Sequence, residues 1–196
     1  RNKLRLEPAV RSSKTRTSII DKLRREKTRL SQMQDIAGCR IVVPDISTQD
    51  EVVSHLQGSF ETTNVDDRRK RPSHGYRAVH LIVQISAKPV EIQVRTALQD
   101  WWAQLSEKYS DLIDPAIKYG GGDTNALESL AAASNEIKKL EDDEILFDQV
   151  RAEVARRGGM AEDMGQRLIA IQANIAGRRG NITRLIELMG EIVPGG

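Results

Sequence analysis

The sequence predicts an α+β fold, a mixed β-sheet flanked by helices, with a helical C-terminal extension. Three observations predict it. Apolar, β-branched runs bounded by turn residues recur near residues 36–44, 76–85 and 90–96. Between and after them the apolar spacing follows the helical period. The resulting order is helix, strand, helix, three strands, helix and helical tail, which lacks the regular alternation of a doubly wound parallel sheet. The domain division this implies is residues 1–118 for the mixed domain and 119–196 for the extension, which packs on that domain or joins copies of it.

Residues 1–16 are basic, contain Pro8 and show no period, so they read as loop or extended chain. Thr17 or Ser18 is the expected cap of a helix to about Arg29, with Ile19, Ile20, Leu23 and Leu30 inward. Asp35 stands at the entrance of the next strand, Arg40 lies inside it, and Pro44 ends it. Ser47 is the expected cap of a helix through Val52, Val53 and Leu56 that Gly58 stops. A weak strand at 60–65 leads into a charged loop, Asp66 to Gly75, holding four consecutive bases, Arg68 to Arg71. A long strand from Tyr76 to Ile85 then turns at Ala87-Lys88-Pro89 into Val90-Glu91-Ile92-Gln93-Val94-Arg95-Thr96, a predicted hairpin.

Beyond Thr96 the period becomes helical. Leu98, Trp101, Trp102, Leu105 and Tyr109 share a face, so the tryptophans read as packing residues. Asp114-Pro115 and Gly120-Gly121-Gly122 break the chain; the glycines lack the spacing and the trailing Lys-Ser/Thr of a phosphate loop. A helix is predicted for 124–157, a second for 161–175 after Gly158-Gly159, and a short third after Gly180-Asn181.

Composition narrows the function. Aromatic residues are 4% of the chain, too few for single-strand binding by rows of stacked bases. The net charge of +2 is uneven: the first 35 residues hold eleven Lys/Arg against four acids, leaving the remainder acidic. A basic arm of this kind points to an anionic ligand, phosphate or nucleic acid. The single cysteine, Cys39, excludes an intramolecular disulfide and a cysteine zinc cluster, and its apolar surroundings mark it as a core residue. No apolar run is long enough to span a membrane and no signal-peptide pattern is visible, so cytoplasm is the expected location. The chain begins at Arg1, as a trimmed or excised segment would.

In the 90–96 strand, Val90, Ile92 and Val94 fall on one face and Glu91, Gln93 and Arg95 on the other. Alone, this also fits an ordinary amphipathic edge strand. With Asp35 it supplies two carboxylates in apolar surroundings, which are costly to bury unless paired or bound to a metal. Magnesium at phosphoryl-transfer sites is held by one or two carboxylates plus substrate phosphates. Lys14, Lys22, Arg40, Arg68 to Arg71, Arg77 and Arg95 are the cations available for charge neutralisation, with His80 on a neighbouring strand. A salt-bridge network would use the same residue types.

Three segments taken together are more specific. Asp35-Ile36-Ala37-Gly38-Cys39-Arg40-Ile41-Val42, His74-Gly75-Tyr76-Arg77-Ala78-Val79-His80 and Val90 to Thr96 resemble, in order and spacing, the synthetase domain of RelA/SpoT proteins. Lys14, Ser18-Ile19 and Lys22-Leu23 resemble its N-terminal basic motif, and the likeness covers roughly residues 10–110. With no hydrolase or regulatory region recognisable, the chain looks like a small stand-alone synthetase or an excised synthetase domain.

The resemblance implies a nucleotidyltransferase-like fold and transfer of the β,γ-pyrophosphate of ATP to the 3′-hydroxyl of GDP or GTP, giving the alarmones (p)ppGpp. It implies Mg²⁺ held by Asp35 and Glu91, with Glu91 also taking the proton of the acceptor hydroxyl. Arg40, with Arg11, would stack on adenine, while Lys14, Lys22 and part of the Arg68 to Arg71 run would grip phosphates. Tyr76 would stack on the acceptor base, and His80, Gln93, Arg95 and Arg71 would line the acceptor side.

Two departures bear on the acceptor and donor. Where the family has Pro-Lys-x-Asn-Gly-Tyr, this chain has Pro72-Ser73-His74-Gly75-Tyr76, one residue shorter and without the lysine. Arg11 stands one residue further from Lys14 than in the family's Arg-x-Lys. Toxic relatives that use adenine nucleotides, giving (p)ppApp, or the tRNA 3′ end are therefore the alternative, and a catalytically silent nucleotide- or RNA-binding module is a third reading. An antitoxin or a further copy of the chain is the partner expected for the C-terminal helices.

Overall fold

The four predicted strands and a fifth, in the segment read as loop or extended chain, pair into one five-stranded mixed sheet in a computed structural model, which describes residues 9–11, 16–26, 29, 30, 33, 35–157 and 162–192. The elements are β1 (Ala9–Arg11), α1 (Arg16–Glu26), β2 (Gly38–Val43), α2 (Ile46–Ser59), β3 (Thr62–Asp67), β4 (Val79–Ile85), β5 (Lys88–Thr96), α3 (Ala97–Leu112), a 3-10 turn (Ile117–Tyr119), α4 (Thr124–Arg157) and α5 (Glu162–Ile192). They fall into two units. One holds residues 1–73 and 77–100, and the other holds 74–76 and 101–196. Among the described residues, no helix is long and apolar enough to cross a membrane.

In the first unit the strand order is β1-β2-β5-β4-β3. β5 pairs in parallel with β2 and antiparallel with β4, so it is a central strand. The edge-strand reading of 90–96 is thereby corrected. Strand alternation then divides the sheet into two faces. Ile41, Val43, Val79, Leu81, Val83, Ile92 and Val94 form an apolar core with Val52 and Val53 of α2. Cys39 is half-buried against that core, and burial pushes its thiol up, away from the reactive thiolate. The opposite face carries the polar residues.

Several boundaries differ from expectation for local reasons. Asp45, not Ser47, caps α2, its carboxylate accepting from the Thr48 amide at 2.8 Å. α2 continues through Gly58 to Ser59. β3 extends to Asp67 because Asp66 and Asp67 pair with His80 and Val79, so the charged loop begins only at Arg68. β4 starts at Val79 rather than Tyr76. The hairpin turns at Ser86-Ala87, both at positive φ, as a type I′ turn requires. Lys88 and Pro89 are already in the strand. In α1, Ile19 and Leu23 are half-buried, but Ile20 is exposed, as is Leu30 beyond the helix. Lys22 shares the inward side with Ile19 and Leu23, and a helix cannot turn Ile20 to that same stripe.

The second unit is largely helical. Trp102 is buried and donates its indole N–H to the Leu130 carbonyl at 2.8 Å, confirming its packing role. α4 and α5 are joined by ion pairs, Arg178 Nε to Asp143 at 2.6 Å and Arg179 to Glu144 at 2.8 Å. α5 runs unbroken through Gly180-Asn181, where a helix break was expected. The pairs at 178 and 179 and the buried Ile182 bracket the glycine, and this packing outweighs its low helix propensity.

Candidate active site

The polar face of the sheet is built on the register of three strands. His80 of β4 and Arg40 of β2 both lie opposite Gln93 of β5, and Gly38 of β2 lies opposite Glu91. The Glu91 amide donates to the Ala37 carbonyl at 3.0 Å, which carries the pairing back toward Asp35. Gly38 permits this closeness: a Cβ there would lie 2.7 Å from the Glu91 carbonyl oxygen.

A chain of side-chain contacts runs along this face. His80 Nδ1 lies 2.8 Å from Glu91 Oε1, and Gln93 Nε2 donates to Glu91 Oε2 at 2.8 Å. Arg95 donates to Gln93 Oε1 and to Asp100 Oδ1, each at 2.9 Å. Arg40 reaches the same Asp100 oxygen at 3.2 Å. Burial favours protonation of Glu91. The His80 hydrogen bond and charge, with the Gln93 amide, outweigh that and hold its carboxyl below the usual range, while the negative charge of Asp35 acts against them. Asp35 itself is paired with Lys22 at 2.8 Å.

Seven sequence-predicted site residues therefore gather on one unit: Lys22, Asp35, Arg40, His80, Glu91, Gln93 and Arg95. Arg71 is exposed on the β3–β4 loop, and Tyr76 belongs to the second unit. Arg11 has its backbone in β1 opposite Gly38, but its side chain, and all of Lys14, lie outside the described residues.

Two features escaped the sequence reading. Asp100, in the first turn of α3, joins Arg40 to Arg95 and is buried. Its only local signal was an acid at a helix start. Within the basic run, Arg69 is tied down by Asp67 and Asp50, both at 2.8 Å, and also donates to Gln49 at 3.2 Å. Arg68 pairs with Asp66 at 2.8 Å. Lys70 and Arg71 are the exposed cations of the run, with the Lys70 ammonium 3.6 Å from Asp67.

A mixed sheet with one apolar face, and on the other two carboxylates set among lysine, arginine and histidine, has the form of a nucleotidyltransferase-like synthetase domain. Residues 11–110 match the family described as the region found in RelA / SpoT proteins, and the chain belongs to that family. An uncharacterised protein of Mycobacterium tuberculosis is 35% identical over 111 residues, 55% of this chain and 41% of that one. The GTP pyrophosphokinase YwaC of Bacillus subtilis is 33% identical over 108 residues, 46% of this chain and 51% of that one. This chain thus spans about half or less of those relatives' own lengths. Among solved structures, small alarmone synthetase 1 of Bacillus subtilis bound to its product pppGpp is 27% identical with a TM-score of 0.60, over 76% of this chain and 80% of that one. Small alarmone synthetase 2 of the same organism is 28% identical with a TM-score of 0.58, over 73% of this chain and 80% of that one.

Proposed function

We propose that the chain is an ATP-dependent pyrophosphotransferase that moves the β,γ-pyrophosphate of ATP to the 3′-hydroxyl of GDP or GTP, making (p)ppGpp. The observation that carries this reading is the run from Arg40 through Asp100, Arg95 and Gln93 to Glu91 and His80, on the sheet of a RelA/SpoT-family domain. The product-bound synthetase and the pyrophosphokinase among the similar proteins support the same chemistry. In this reading residues 1–118 are the synthetase domain and 119–196 the helical extension.

The donor set suits a magnesium ion. Asp35 and Glu91 offer hard oxygen ligands, and each carries a charge the other feels, a repulsion that a divalent cation reverses. Among the described residues no group of three or more His, Cys, Asp or Glu is placed to hold a metal ion by itself. Two carboxylates leave the remaining ligands to water and phosphate, as magnesium sites of this kind do. When bound, the ion would neutralise charge on the transferred phosphates.

The chain's own groups do the positioning. His80 and Gln93 each hold one Glu91 oxygen and keep the carboxylate ionised, ready to accept the proton of the 3′-hydroxyl. So weak a base acts through alignment rather than strength. Lys22, which pairs with Asp35, is assigned to the donor phosphates by resemblance, as Lys14 and Arg11 are to ATP. Asp100 sets the Arg40 guanidinium, the adenine-stacking group of this reading, and shares it with Arg95. Arg71 and Tyr76 are assigned to the acceptor, with His80, Gln93 and Arg95.

One observation favours the tRNA 3′ end as a second acceptor: Lys70, 80% exposed, and Arg71 project from the loop that lacks the family's lysine. Incubation with labelled ATP and GDP, GTP, AMP, ADP or deacylated tRNA separates the readings. Label on guanine nucleotides alone is the expected result; label on tRNA alone replaces the main reading, and label on none leaves a binding module.

A further inference from the structure

Tyr76 sits directly after a two-residue turn, His74-Gly75, in which both residues have positive φ, 52° and 91°. Ser73 and Tyr76 form isolated β-bridges on either side of it. This turn belongs to the helical unit, and three of that unit's residues hold it. Ser134 of α4 donates its hydroxyl to the Gly75 carbonyl at 2.7 Å. Trp102 closes on Gly75 so tightly that a Cβ there would lie 2.8 Å from the indole ring. The His74 imidazole lies against Gly120, where a Cβ would meet its Nδ1 at 2.1 Å.

A helical serine can place its hydroxyl on the carbonyl one turn earlier in its own helix. At Ser134 that carbonyl is Leu130's, which already accepts the Trp102 indole N–H. Ser134 is 2% exposed, and its hydroxyl spans 59 residues of sequence to reach the turn. The turn also departs from the family pattern, with His74 where an asparagine is usual and the preceding lysine missing. Histidine, like asparagine, is enriched among residues at positive φ, so the substitution keeps the backbone while adding a ring to pack on Gly120.

We infer that Ser134 is a positioning residue for the acceptor: its hydroxyl fixes the Gly75 carbonyl and, through it, the backbone that presents Tyr76. The inference rests on the synthetase reading, in which Tyr76 meets the acceptor base. It gives the helical unit a functional task, setting acceptor affinity while leaving the ATP groups of the other unit alone. His74 and Gly120 form the second clasp on the same turn.

Steady-state kinetics of Ser134→Ala and Ser134→Thr, with hydrogen exchange over residues 73–78, test this. The expected result for Ser134→Ala is an acceptor KM raised about fivefold, the size of one net hydrogen bond, with kcat and the ATP KM unchanged. Ser134→Thr, which keeps the hydroxyl, restores the acceptor KM, and Gly120→Ala raises it by displacing His74. Amides of 73–78 exchange faster in Ser134→Ala, a readout that needs no turnover. A folded Ser134→Ala protein with unchanged acceptor KM overturns the inference and leaves the synthetase reading standing. A rise in both KM values together with a lowered Tm also overturns it, showing a general packing role. A wild-type protein that transfers to no acceptor overturns the synthetase reading, and faster exchange alone would then show a tether without an acceptor role.

Discussion

Gly38 and Glu91 face each other across the parallel strands β2 and β5, so closely that a side chain at 38 would lie 2.7 Å from the Glu91 carbonyl oxygen. The obstacle is backbone, which cannot rotate away. The strand that carries Glu91 therefore depends on the absence of a side chain on its neighbour. Gly38→Ala is predicted to cost about 1–3 kcal/mol by overpacking. It is also predicted to lower kcat by tenfold or more, on the order of the loss from an ångström-scale misplacement. Urea denaturation and initial rates check both; unchanged stability with full activity would show that the sheet relaxes freely.

Asp100 carries two guanidinium groups on one carboxylate oxygen. Removing it leaves Arg95, 7% exposed, without its acid, and leaving one partner of a buried pair uncompensated costs about 3 kcal/mol. Asp100→Ala is expected to lose stability on that scale. It should also raise the ATP KM, since Arg40 loses its anchor, with a smaller effect on the acceptor KM.

Asp67 predicts an acid-sensitive contribution to stability. Burial favours its protonation, but the hydrogen bonds and charge of Arg69, with the charge of Lys70, hold the carboxyl below its usual value. The unfolded chain therefore binds this proton more tightly than the folded one. The stabilisation is complete above the unfolded value of about 3.9 and is lost as pH falls through the lower folded value. Asp67→Asn should lower Tm at neutral pH by an amount that shrinks as the pH drops below about 4. A difference independent of pH would contradict this.

Metal dependence follows from the two repelling acids. Chelation with EDTA is predicted to abolish transfer, and added Mg²⁺ to restore it. Asp35→Asn should raise the Mg²⁺ concentration needed for half-maximal rate, because one hard ligand and one negative charge are gone. Activity that survives exhaustive chelation would remove Asp35 from that role.

The alternation of Glu91, Gln93 and Arg95 was legible because strand geometry is local and its period is two. Long helical spacing made α3 and α4 legible for the same kind of reason. What was not legible depended on partners distant in sequence. Arg69 looked like its basic neighbours until Asp50, on α2, was placed beside it. Asp100 showed no sign that Arg40, sixty residues earlier, would share it. Gly180-Asn181 carried a break signal that Arg178, Arg179 and Ile182 override by packing. The Ser86-Ala87 turn has no glycine or asparagine to announce it, and its positive φ values are imposed by the pairing of Ile85 with Lys88.

The central claim is that Glu91 serves pyrophosphate transfer, and the rate of labelled (p)ppGpp formation from γ-labelled ATP and GDP by the wild type and Glu91→Gln tests it most directly. Glutamine keeps the size and planar shape, offers one acceptor oxygen where the carboxylate has two, and cannot accept the hydroxyl proton or carry the charge. Product from the wild type and a loss of about 10²-fold or more in the variant is the predicted result, the scale of a lost general base. Equal rates from the two proteins would contradict it.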